Sequence, residues 1–116
     1  MRHLKKKKFF HGGHAQRQAF LRQFAISFFS HSKIITTATR AKESRPFIER
    51  LITIGKIDSL ATRRLLIKKL DHRSTAEKLI KVISPKYKDR KGGYTRVVKL
   101  NPRQGDGAKQ VMLTLV

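Results

Sequence analysis

Cysteine is absent from this 116-residue chain, and so is tryptophan. The first absence excludes disulfides, thiolate metal sites and a cysteine nucleophile, and is compatible with a reducing compartment. Acidic residues are also scarce, with seven Asp and Glu in all. They are Glu43, Glu49, Asp58, Asp71, Glu77, Asp89 and Asp106, spread along the chain, and no two have a spacing that suits joint acid–base work. No enzymatic activity is expected. Long apolar runs are missing too: Phe24–Phe29 is the most apolar stretch, far short of the ~20 residues that span a bilayer. No signal-peptide-like apolar stretch follows the basic N-terminus, so the chain reads as cytoplasmic. Apolar residues make up 39%, below the roughly 45–50% of a typical domain, so a core is expected that does not include the whole chain.

What the chain has in excess is positive charge. Lys and Arg number 28, for a net charge of +21. A compact state with that excess repels itself, and a polyanion relieves the repulsion. The charge is distributed: residues 1–14 hold five cations and no acid, and residues 73–94 hold seven against two acids. Contact with nucleic acid on several sides is the leading expectation. A general DNA-architectural protein and a cationic membrane-surface protein are the rival classes. The second fits poorly, because the first helix has only Arg17 and Arg22 on its polar face.

One domain is the expectation from length, preceded by an arm. Residues 1–14 show no helical or strand period, and their four adjacent lysines favour a segment that orders on a polyanion. Leu21, Phe24, Ala25 and Phe28 fall at i, i+3, i+4 and i+7 and predict a helix over 15–30. The β-branched stretch Lys33–Thr37 predicts a strand. A second helix is expected from Thr39 to Lys56, with Phe47, Ile48, Leu51, Ile52 and Gly55 facing the core. Pro46 leaves two readings open: a helix running through it, or one starting at Ser44 with Pro46 in the first turn. A third helix is predicted over 59–71, capped by Asp58 or Ser59. The stretch Ser74–Glu77 has the form of a capping box opening a fourth helix that ends before Pro85. A basic loop covers 86–93, and strands cover Thr95–Leu100 and Gln110–Val116, joined by turn-forming residues. The fold class is therefore α+β: a two-layer α/β domain over 15–116, with a small mixed sheet and helices on one face.

Three groups of residues invite a chemical reading. His3, His11 and His14 lie in the arm, and no Cys or carboxylate completes a metal site there. Contact with bases or phosphates is the alternative for them, as for Phe9 and Phe10. Gly92-Gly93-Tyr94-Thr95-Arg96 is the sharpest local feature. Paired glycines allow close main-chain approach and an anion nest, Tyr94 offers a ring to an unpaired base, and Arg90, Lys91 and Arg96 can hold phosphates. A plain loop-to-strand turn with a half-buried tyrosine is the other reading. Arg63, Arg64, Lys68 and Lys69 form a basic helix face, while Phe20, Phe24, Phe28 and Phe47 lie on core stripes.

Several segments, in order, resemble the family of the bacterial large-subunit ribosomal protein numbered seventeen. They are Met1-Arg2-His3 followed by lysines; Lys33–Thr37 followed by Ala41-Lys42-Glu43; the stretch from Arg45 to Lys56 (RPFIERLITIGK); Ala61-Thr62-Arg63-Arg64; Gly92–Arg96; and Pro102-Arg103-Gln104-Gly105-Asp106. The resemblance covers nearly the whole chain. It implies the order α-β-α-α-α-β-β, with the second helix running through Pro46. It also implies a non-catalytic, cofactor-free structural role, binding large-subunit ribosomal RNA near the peptide exit tunnel among neighbouring ribosomal proteins. No membrane, small-molecule substrate or homo-oligomer is implied. The arm departs from the family pattern at Phe9–Arg17. Together these readings nominate Arg2, His3, Lys5, Lys6, Lys7, Lys8, His11, His14, Arg17, Arg40, Lys42, Arg63, Arg64, Lys88, Arg90, Lys91, Gly92, Gly93, Tyr94, Arg96 and Arg103 as RNA-binding residues.

Overall fold

The computed structural model describes residues 13–116. Helix α1 spans His14–His31 and buries Leu21, Phe24, Ala25, Phe28 and Phe29, the apolar stripe its periodicity announces. It stops at Ser32, which takes a left-handed conformation (φ 62°) and returns its N–H to the Phe28 carbonyl. Strand β1 (Lys33–Thr37) follows at once. Thr37 ends the strand and caps α2 (Ala38–Gly55), its side chain accepting from the Arg40 N–H. Helix α2 runs through Pro46, as the resemblance implied, so Ser44 lies inside the helix and is not its cap. Its buried face is Ala41, Ser44, Ile48, Leu51, Ile52 and Gly55.

Ser59 caps α3 (Leu60–Leu70) by accepting from the Thr62 N–H at 3.1 Å. Asp58 instead pairs with Arg63. Helix α4 (Arg73–Lys78) corrects a second expectation. Its cap is His72, whose Nδ1 accepts from the Thr75 N–H at 3.3 Å. Ser74 is already inside the first turn, and Glu77 turns outward to Arg73, so no capping box forms. The helical path also continues past its expected end, through a π-helical turn at Leu79–Ile83 and a 3₁₀ turn at Ser84–Tyr87. Pro85 sits at the start of that last turn, where a missing N–H breaks no hydrogen bond.

Strands β2 (Thr95–Lys99) and β3 (Gln110–Leu115) complete a three-stranded sheet of order β1-β3-β2. Both ladders are antiparallel, with Ile34 opposite Leu113 and Val97 opposite Leu113. The expected mixed sheet is thereby corrected: the β2–β3 hairpin sets one antiparallel pair, and β1 docks on the far side of β3 running against it. The α+β class and the element order stand as expected. Val111 and Leu113 are buried toward the helices, whereas Ile35, on the opposite face, is 60% exposed.

The core gathers Phe24, Phe28, Phe29, Ile48, Leu51, Ile52, Leu66, Leu70, Leu79, Ile80 and Leu113 into one cluster, joined by Tyr87 and Tyr94. At its centre α2 and the 3₁₀ turn meet through Gly55. A Cβ on Gly55 would lie 2.5 Å from the Ser84 hydroxyl, which is fully buried and donates to the Ile52 carbonyl. Moving that hydroxyl aside would leave a buried polar group unpaired. We therefore expect Gly55→Ala to destabilise the domain by about 1–3 kcal/mol despite alanine's better helix propensity. Urea denaturation checks this, and a stabilised variant would contradict it.

Candidate nucleic-acid interface

Five of the seven carboxylates are held in ion pairs: Glu43 with Arg17, Glu49 with Arg45, Asp58 with Arg63, Glu77 with Arg73 and Asp106 with Arg103. Seven acids against 28 basic residues leave most of the positive charge uncompensated. One cluster of exposed cations lies on the loop between Tyr87 and Thr95.

That loop is fastened at both ends. On the strand side, Arg45 on α2 donates from Nε to the Thr95 hydroxyl at 2.9 Å and from Nη2 to the Thr95 carbonyl at 3.1 Å. The Thr95 hydroxyl donates to Glu49 at 2.7 Å, closing a network with the Arg45–Glu49 pair. Charge-assisted bonds of this kind fix geometry as well as adding energy. Tyr87 and Tyr94 meet edge to face with centroids 5.3 Å apart, and both tie to the chain end: the Tyr87 hydroxyl donates to the Val116 carbonyl, and the Val116 N–H to the Tyr94 carbonyl. Between these anchors Lys56 donates to the Arg90 carbonyl, and its ammonium lies 4.7 Å from the Tyr94 ring centroid. Arg90 in turn donates to the Gly92 carbonyl at 3.3 Å. Residues Lys88–Gly93 are left exposed on a fixed base.

Tyr94 is 1% exposed, and its hydroxyl shares a 3.1 Å hydrogen bond with Thr53. Burial pushes its pKa up, but the Lys56 ammonium and the Thr53 hydroxyl outweigh this and hold it below the usual tyrosine value. The expectation that Tyr94 stacks on an RNA base is corrected: the ring is packed in the core, and its role is to hold the loop. Gly93 adopts the left-handed conformation expected of the glycine pair (φ 62°), whereas Gly92 does not.

Two grooves flank α2. One, of 480 Å³, lies between α2 and the loop and is lined by residues including Arg50, Lys91 and Gly92. The other, of 290 Å³, lies between α1 and α2 and brings Arg17, Lys42 and Arg50 together. Arg63 and Arg64 line a third, of 230 Å³, between α3 and α4, with Arg73 opposite. Other nominated residues stand apart. Arg40 packs over the Phe20 ring, 5.6 Å from its centroid. Arg96 is exposed on the outer row of the sheet, where Thr114 separates it from Lys33. Arg103 is at the tip of the β2–β3 hairpin, paired with Asp106. His14 belongs to α1 and not to the arm, since Gly13 is that helix's N-cap. Arg2, His3, Lys5, Lys6, Lys7, Lys8 and His11, with Phe9 and Phe10, lie outside the described residues.

Arg50, which lines both grooves beside α2, was not among the residues nominated from the sequence. The available signal was spacing: Lys42, Pro46 and Arg50 recur every four residues and so share one face of α2.

This geometry defines a small, strongly basic α+β domain in which Glu43, Glu49 and Asp58 are paired where elements meet and many cations are exposed. Comparison with known proteins agrees with that description. The family described as Ribosomal protein L17 matches residues 20–116. A protein of Dictyoglomus thermophilum named large ribosomal subunit protein bL17 is 50% identical over 101 residues, covering 87% of this chain and 87% of its own length. Its namesake in Clostridium acetobutylicum is 46% identical over 101 residues, covering 87% of this chain and 89% of its own length. The chain belongs to this ribosomal protein family, whose members are structural, non-enzymatic components of the large ribosomal subunit.

Two measurements check the site as described. Tyr94→Phe removes the Thr53 hydrogen bond and should lower stability by about 0.5–1.5 kcal/mol. Urea denaturation checks this, and an unchanged midpoint would contradict it. Hydrogen bonding from Arg103 holds the Asp106 carboxyl at a pKa of about 2, well below its ordinary 3.8. A depressed pKa means that the pairing is fully present above the ordinary value and is lost only as pH falls through about 2. NMR titration should place the Asp106 midpoint there, and Arg103→Gln should return it toward 3.8.

Proposed function

We propose that this protein binds large-subunit ribosomal RNA as a structural element of the bacterial cytoplasmic ribosome, near the peptide exit tunnel. One observation carries the reading. Glu43, Glu49 and Asp58 are held in ion pairs within the domain, while Lys42, Arg50, Arg64, Lys68, Lys69 and the cations of the 88–93 loop are exposed. A surface of that kind suits phosphates arriving from more than one RNA helix. The family's place in the large subunit supplies the polyanion.

In this reading the folded domain from His14 onward is the preshaped platform, and the basic segment that precedes it, with its four adjacent lysines, adds contacts to RNA. Most contacts are to the sugar–phosphate backbone, so recognition is of RNA shape. Neighbouring large-subunit proteins are the other partners, and the protein acts as a single copy without cofactor or metal. No helix among the described residues is long and apolar enough to cross a membrane.

Counterion release gives the test. If about 8 phosphates are neutralised, affinity for large-subunit ribosomal RNA should fall by roughly 10³–10⁵ between about 50 and 200 mM salt. Affinity that is nearly flat across that range, or equal for duplex DNA, overturns the reading. Ribonuclease-sensitive co-migration with the large subunit on a sucrose gradient is the cellular counterpart.

A further inference from the structure

Gly92 has no reason within the fold to be glycine. Its φ is outside the left-handed region occupied by Gly93, and a Cβ built on it meets no atom within 4 Å. Alanine would fit there and would leave the unfolded chain less disordered, so glycine at this point is a net loss to stability. Gly92 is also exposed, on the wall of the 480 Å³ groove between α2 and the loop. A missing side chain at that point leaves room for something outside the chain to approach the backbone closely.

The groove shows what that is. Arg50 stands on its α2 wall and Lys91 on its loop wall, with Pro46 and Ile54 supplying apolar surface. Glu49, the one carboxylate among the lining residues, is already bonded to Arg45 and Thr95. The volume falls within the roughly 300–1,000 Å³ of ordinary ligand pockets. Pro46 and Arg50 also line the 290 Å³ groove on the other side of α2, which contains Lys42. Both grooves thus share the exposed Pro46–Arg50 ridge.

We infer that the α2–loop groove seats one nucleotide of a single RNA strand, whose sugar–phosphate backbone passes over Gly92. A phosphate lies between Arg50 and Lys91, the base rests on Pro46 and Ile54, and the strand crosses Arg50 toward Lys42. This rests on the RNA-binding reading above and adds to it a defined seat and a reason for Gly92.

The test uses the full-length protein and purified large-subunit ribosomal RNA. Gly92→Val should not lower the melting temperature and should weaken binding by roughly tenfold or more. Arg50→Gln should weaken it similarly and reduce the salt slope by about one, while Lys109→Gln, outside both grooves, should have far less effect. Because the chain lacks cysteine, Ile54→Cys provides a single attachment point for a short photocrosslinker, which should label RNA in reconstituted subunits. If Gly92→Val and Arg50→Gln bind like wild type, or the crosslinks go to protein, the seat is overturned, even while the wild type's salt-dependent affinity still supports the ribosomal reading. Absence of RNA binding by the wild type overturns both.

Discussion

In a chain with four times as many cations as carboxylates, the position of each carboxylate decides which parts of the surface can come together without mutual repulsion. Glu43 and Arg17 meet where α1 lies against α2, and Asp58 and Arg63 meet at the turn into α3. Glu49 has the widest reach: through Arg45 and the buried Thr95 hydroxyl it joins the middle of α2 to the first residue of β2, 46 positions later. Exposed ion pairs such as Arg73–Glu77 are worth about 0–1 kcal/mol, so they set local geometry more than stability. The Glu49 network differs because a buried hydroxyl is one of its members, and losing the carboxylate would leave both Thr95 and Arg45 short of a partner.

The fixed loop follows from that joint. Tyr94 directly precedes Thr95, so the Arg45–Glu49 clamp also holds the tyrosine in the core against Tyr87. The chain end completes the arrangement by bonding to both tyrosines. Lys88–Gly93 is then a short exposed segment between two anchored points, held further by Lys56 at the Arg90 carbonyl. A basic loop prearranged in this way loses less entropy on binding than a free one. Arg22, which donates to the Lys69 carbonyl at the end of α3, shows the same economy: a cation satisfies a helix C-terminus where no acid could.

Patterns with a strong period were legible in the sequence. The α1 stripe and the α2 face from Ile48 to Gly55 are as the spacing predicts, because burial itself imposes the period. Signals that several residues can satisfy equally were not legible. In His72-Arg73-Ser74-Thr75 either His72 or Ser74 can cap, and tertiary placement of the buried Thr75 selects His72. The direction of β1 against β3 depends on contacts about 80 residues apart, which a five-residue strand does not encode. The site divides the same way. Lys91 and Gly92 were visible as a motif, and Arg50 was hidden because it lies in a helix read for its buried face.

Tyr94 bears most directly on the proposed mode of RNA recognition. A tyrosine inside a lysine- and glycine-rich loop suggests a stacking platform of the kind used for single-stranded nucleic acid. Here the ring is buried at the base of the loop, enclosed by Tyr87, Thr53 and Lys56. The other described aromatics, Phe20, Phe24, Phe28, Phe29, Phe47 and Tyr87, are likewise buried or partly buried. The described domain therefore has cations, main chain and aliphatic surface to offer, and no exposed Phe or Tyr ring. Such a surface discriminates through where it places positive charge relative to the phosphates. If Arg50 and Lys91 hold a phosphate as proposed, the rigidity of the α2–loop joint is itself part of the specificity, because a displaced cation would miss the phosphate that a flexible loop could still follow.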